Sequence, residues 1–124
     1  MSPSPSALVS IVDDDPFMRA ATGSLVRSFG WEAREFDSAS AFLDSDALPG
    51  TRCLVCDVHM PGMTGLELVA QLMRESRLMP TVFVSAFVSE AVRERALDDG
   101  ALCLIEKPVD ARELEAWIGH ALAA

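Results

Sequence analysis

Four places in the chain carry side chains able to bind a cation, attack an electrophile or neutralise an anion: the run Asp13, Asp14 and Asp15, then Asp57, Ser85 and Lys107. Carboxylates gathered in a small space repel one another. A hard cation with oxygen ligands and few protein contacts, Mg²⁺ above all, relieves that repulsion. Asp13, Asp14 and Asp57 are the carboxylate candidates, and the His59 backbone carbonyl can add a further oxygen. A carboxylate is also a nucleophile toward phosphorus, giving an acyl phosphate, provided that metal and lysine neutralise the transferring oxygens. Ser85 and Lys107 suit that holding role. Lys107 is the only lysine in the chain, so a compact point charge is kept at one place while arginine serves elsewhere.

Positioning these groups requires elements that end side by side. From Ala7 the sequence alternates short apolar runs with longer segments of helical period, the pattern of a parallel sheet wrapped by helices. The expected strands are Leu8 to Val12, Glu32 to Phe36, Cys53 to Cys56, Thr81 to Val84 and Leu102 to Ile105. Four are apolar, as strands covered on both faces should be, and Glu32 to Phe36 is polar enough to be an edge. Polar residues just past the carboxyl ends of such strands emerge on one rim. Asp13 to Asp15 follow the first strand, Asp57 the third, Ser85 the fourth and Lys107 the fifth.

Punctuation supports the helices. Gly30 and Gly100 stand where the first and fourth helices need a left-handed residue after the C-cap. Asp110 with Glu113 has the spacing of a capping box opening the last helix, whose Leu114, Trp117, Ile118, Ala121 and Leu122 share one face.

With 124 residues, half of them hydrophobic, the chain is long enough for one core and one domain. Residues 1–7 read as a loose tail and 8–124 as the folded unit. A net charge of -9 repels nucleic-acid phosphates and anionic lipid headgroups, which argues against direct nucleic-acid binding, and no apolar run is long enough to span a membrane. Three cysteines without a signal-peptide pattern point to a reducing cytoplasm. Cys53 and Cys56 form a C-x-x-C string, but strand residues three apart face opposite sides and no second ligand pair exists, so redox or zinc chemistry is not expected.

Ile11-Val12-Asp13-Asp14-Asp15, Asp57-Val58-His59-Met60-Pro61-Gly62-Met63-Thr64-Gly65, Val84-Ser85-Ala86 and Glu106-Lys107-Pro108 together resemble the ordered signatures of response-regulator receiver domains. The Glu-Lys-Pro ending is similar to that of the nodulation and nitrogen-fixation regulators. The resemblance implies a single doubly wound α/β domain, a (βα)5 flavodoxin-like fold with a five-stranded parallel sheet in the order 2-1-3-4-5. It implies that Asp57 accepts a phosphoryl group from a sensor histidine kinase. Asp14, Asp57 and the His59 carbonyl would contact Mg²⁺ directly, Asp13 partly through water. Ser85 would swing toward the phosphoryl group and Lys107 would pair with one of its oxygens. Asp15 is expected to be a first-turn helix acid, and Lys107-Pro108 is a candidate cis peptide.

Further implications concern output. The surface of the fourth helix, fifth strand and fifth helix would relay the change, to an attached DNA-binding effector domain, a partner protein or a phosphorylation-dependent homodimer. Leu104 stands three residues before the lysine, where the family commonly has Tyr or Phe as a rotamer switch. His59 and Phe87 occupy positions that border the path of hydrolytic water. Two other readings compete. A haloacid-dehalogenase-like phosphatase would use Asp13-x-Asp15, but Phe17 stands where Thr or Val is needed, no acidic pair follows Lys107 and no segment forms a cap. A pseudo-receiver that binds partners without phosphorylation would normally lack one of the rim residues, and none is missing.

Overall fold

The computed structural model describes residues 7–123. The strands are β1 (Leu8–Val12), β2 (Glu32–Phe36), β3 (Thr51–Asp57), β4 (Thr81–Ser85) and β5 (Cys103–Glu106). The helices are α1 (Pro16–Ser28), α2 (Ala39–Leu43), α3 (Gly65–Arg74), α4 (Glu90–Asp98) and α5 (Ala111–Ala123), with a 3₁₀ turn at Leu48–Gly50. All strand pairings are parallel and the order is β2-β1-β3-β4-β5, as the resemblance implied. Residues 1–6 of the expected tail lie outside the described residues. Ala7 already accepts a hydrogen bond from the Glu32 N–H at 3.0 Å.

Strand alternation divides the core into two layers. Val9, Ile11, Cys53, Val55, Val82, Val84, Cys103 and Ile105 face one side, where Val26 of α1 and Leu114, Ile118 and Ala121 of α5 cover them. Val12, Leu54, Cys56, Phe83 and Leu104 face the other, against Phe42 of α2, Leu68 and Leu72 of α3 and Ala96 of α4. Cys53 and Cys56 thus lie in different layers, as their spacing required. Burial pushes the Cys53 and Cys103 thiols up to about 12, and Cys56 higher still, so all three stay protonated and apolar in behaviour.

The helix signals hold with one difference, and one strand starts earlier than its apolar run. Gly30 (φ 99°) and Gly100 (φ 102°) take the left-handed conformation after α1 and α4. Asp110 accepts from the Glu113 N–H at 2.9 Å, but the box whose two arms are both made is Thr64 with Glu67, which opens α3. Strand β3 begins at Thr51, two residues earlier than its apolar run. The Thr51 hydroxyl is buried, bonded to Ser10 Oγ at 2.7 Å and to the Ala47 carbonyl at 2.8 Å, which lets a polar residue belong to an interior strand.

Candidate functional site

The carboxyl ends of β1, β3 and β5 meet. Carboxylate oxygens of Asp13, Asp14 and Asp57 all lie within 4.8 Å of one another. Asp57 is the last residue of β3 and Ser85 the last of β4, so both are held by their strands rather than standing past them as the sequence suggested. The Lys107 ammonium bridges Asp13 Oδ2 at 3.3 Å and Asp57 Oδ2 at 3.5 Å. The His59 backbone N–H donates to Asp57 Oδ1 at 3.3 Å. The Lys107-Pro108 peptide is cis.

Asp57 is 6% exposed and Asp13 2%. Burial raises the Asp57 pKa from its ordinary value, and the negative charges of Asp13 and Asp14 push the same way. Lys107 and the His59 N–H oppose them. Two of the three carboxylates share a single ammonium and, among the described residues, Asp14 has no cation paired with it, leaving a site rich in hard oxygen donors and short of positive charge. That donor set fits a hard divalent cation.

Asp13 is tied down at every polar atom. Its N–H donates to the Phe36 carbonyl at 3.1 Å, Oδ1 accepts from the Asp15 N–H at 2.9 Å, and its carbonyl accepts from Arg19 at 2.8 Å. Asp15 is the N-cap of α1, accepting from the Phe17 N–H at 2.9 Å, one position earlier than the first-turn acid expected. Pro16 at the first helical position imposes that register.

Ser85 is buried, but its hydroxyl is turned to the following loop. It donates to the Phe87 carbonyl at 2.9 Å and accepts from the Phe87 N–H at 3.1 Å. The Phe87 ring is 75% exposed and lies edge-on to His59, with centroids 6.4 Å apart. A cleft of about 400 Å³ beside it is lined by His59, Ala86, Phe87, Val88, Val92 and Glu106. Leu104 is not in that cleft: it is 3% exposed, inside the α3/α4 layer, in register with Phe83.

Two residues at the site escaped sequence reasoning. A Cβ on Gly65 would overlap the Asp57 carbonyl and press on the Phe83 ring at 3.0 Å, so only glycine lets α3 start against the end of β3. Its place at the end of the Asp57 motif was the available signal. Arg19 reaches back to Asp13 from the first turn of α1, and nothing in its spacing announces that contact.

A family model described as the response regulator receiver domain matches residues 9–119. Nodulation protein W of Bradyrhizobium diazoefficiens is 36% identical over 111 residues, covering 90% of this chain and 49% of that protein. The transcriptional regulatory protein FixJ of the same organism is 34% identical over 116 residues, covering 92% of this chain and 56% of that one. The solved structure of response regulator StyR superposes with a TM-score of 0.86 at 38% identity, over 95% of this chain and 60% of that one. The chain therefore spans about half the length of the curated relatives it matches. Receiver domains generally bind Mg²⁺ in an acidic pocket and act as regulators rather than as enzymes with an external substrate. No described helix is long and apolar enough to cross a membrane. The ordered acids, hydroxyl and lysine, the 2-1-3-4-5 sheet and these matches agree, and the chain belongs to the response-regulator receiver family.

Proposed function

We propose that this chain, with its receiver unit over residues 8–124, takes one phosphoryl group onto the Asp57 carboxylate from a phosphohistidine of a sensor histidine kinase. Its catalysis is limited to its own phosphorylation and dephosphorylation. The observation that carries the reading is the Lys107 ammonium bridging Asp13 and Asp57 beside three converging carboxylates.

Asp13, Asp14, Asp57 and the His59 backbone carbonyl would hold Mg²⁺, which when bound supplies positive charge to the crowded carboxylates and to the phosphoryl oxygens. An Asp57 oxygen attacks phosphorus in line. The new bond is O–P, the bond that breaks is P–N, and the leaving imidazole nitrogen keeps the electron pair. Lys107 stabilises charge on the transferring oxygens, and the strand ends hold the nucleophile in place before the donor arrives. Water then returns the carboxylate, along a path that His59 and Phe87 border.

For output, the Ser85 hydroxyl would leave the Phe87 backbone for the phosphoryl group, freeing the β4–α4 loop to shift. Ser85 shares its strand face with Phe83, which stands beside Leu104, so the change would travel through buried packing to α4 and β5, and through β5 to α5 on the opposite face of the sheet. Recognition by a DNA-binding effector domain, or by a second copy of the chain, would read that surface. The net charge of -9 argues against this unit touching nucleic acid itself. A cytoplasmic location fits the buried thiols and the kinase donor.

Acetyl phosphate and Mg²⁺ followed by intact mass provide the test. Wild type gains one phosphoryl group and Asp57→Asn gains none. No label on wild type would favour a non-phosphorylated interaction module. For the relay, backbone NMR shifts with a beryllofluoride mimic extend to α4 and α5; changes confined to the strand-end rim would remove it.

A further inference from the structure

Asp14 is exposed, and among the described residues its carboxylate has no hydrogen-bond partner. Its direction depends on the backbone that carries it. The carbonyl of Asp13 belongs to the planar peptide leading to the Asp14 Cα, so fixing that oxygen fixes where Asp14 starts. The group that fixes it is the Arg19 guanidinium, at 2.8 Å.

Arg19 is in an unfavourable place for a cation unless it has this task. It lies in the first turn of α1, where the helix dipole disfavours positive charge. Three aspartates are nearby in sequence, yet among the described residues Arg19 forms no ion pair and bonds a main-chain oxygen instead.

We infer that Arg19 is a positioning residue for the acidic pocket: by clamping the Asp13 carbonyl it presents the Asp14 carboxylate to a divalent cation shared with Asp13 and Asp57. This rests on the metal-binding reading of that pocket. Two effects of Arg19 oppose each other. Its charge repels a nearby divalent cation, so removing it on Coulombic grounds alone tightens binding. Loss of the clamp loosens Asp14 and weakens binding. The sign of the change decides which dominates.

Calorimetric titration of the metal-free protein with MgCl₂ separates the outcomes. Arg19→Met should raise the dissociation constant about tenfold, the scale of losing a residue that orients a metal ligand. Arg19→Lys, which keeps a donor, should recover part of that loss, and the urea unfolding midpoints of both variants in EDTA should stay close to that of wild type. Unchanged or tighter Mg²⁺ binding in Arg19→Met, with Asp14→Asn still impaired, overturns the clamp while leaving the pocket intact. Failure of wild type itself to bind Mg²⁺ overturns both readings. Should Arg19→Met not fold, Arg19→Leu, which also lacks a donor, replaces it under the same criterion.

Discussion

The Lys107 ammonium already joins Asp13 to Asp57, at 3.3 and 3.5 Å, whereas the Ser85 hydroxyl on the adjacent strand end is engaged twice by the Phe87 backbone. One side of the rim is assembled for chemistry before any donor is present. On the proposed reading, the other would exchange existing hydrogen bonds for new ones. The difference separates two properties that a receiver has to combine. A nucleophile gains from being held still. A response requires a group with two comparable arrangements.

Substitutions can break or sharpen this contrast. Leu104→Ala opens a cavity in the α3/α4 layer and should cost about 3 kcal/mol in urea unfolding, equally with and without Mg²⁺, while one phosphoryl group is still accepted. Loss of acceptance in a folded Leu104→Ala protein would mean that the two sides are not separable.

Gly65→Ala should cost about 2 kcal/mol, because the new Cβ meets the Asp57 carbonyl and must move the end of β3. Unlike Leu104→Ala, it should also slow labelling by acetyl phosphate. A normal labelling rate would show that β3 tolerates displacement.

Ser85→Ala removes two hydrogen bonds to the β4–α4 loop and should cost about 1 kcal/mol. Labelling of Asp57 persists, while the beryllofluoride-induced NMR shifts in α4 shrink. Undiminished shifts in α4 would take Ser85 out of the relay.

The smallest effect concerns pH. Burial holds the Asp57 pKa above its ordinary 3.8, so in EDTA the folded protein takes up this proton at a higher pH than the unfolded chain. The contribution of Asp57 to stability therefore grows as pH falls through the raised value toward 3.8, and is lost as pH rises through it. Asp57→Asn should be more stable than wild type at neutral pH in EDTA, with the gap narrowing toward pH 4. A gap that widens on acidification would contradict the electrostatic picture.

Sequence pattern and structure agree where one local rule decides the outcome. Apolar runs marked four of the five strands, Gly30 and Gly100 marked helix ends, and the acids, hydroxyl and lysine fell together because parallel strands share one rim. The expected residues converge unevenly, since Ser85 reaches the rim with its hydroxyl directed at Phe87. That orientation is set by the β4–α4 loop, whose backbone has no periodic signature. Arg19 and Gly65 act through main-chain atoms of Asp13 and Asp57, contacts that exist only once helix and strand are docked. The Thr64 and Glu67 box has a spacing legible in the sequence, and it straddles the end of the Asp57 motif.

Reduction of the phosphorylated protein with borohydride converts an aspartyl phosphate to homoserine, and peptide mass mapping then names the residue. The account predicts homoserine at position 57 alone, dependent on Mg²⁺ and lost in Lys107→Ala. Homoserine at Asp13 or Asp14, or none in a wild-type protein that binds Mg²⁺, would contradict it.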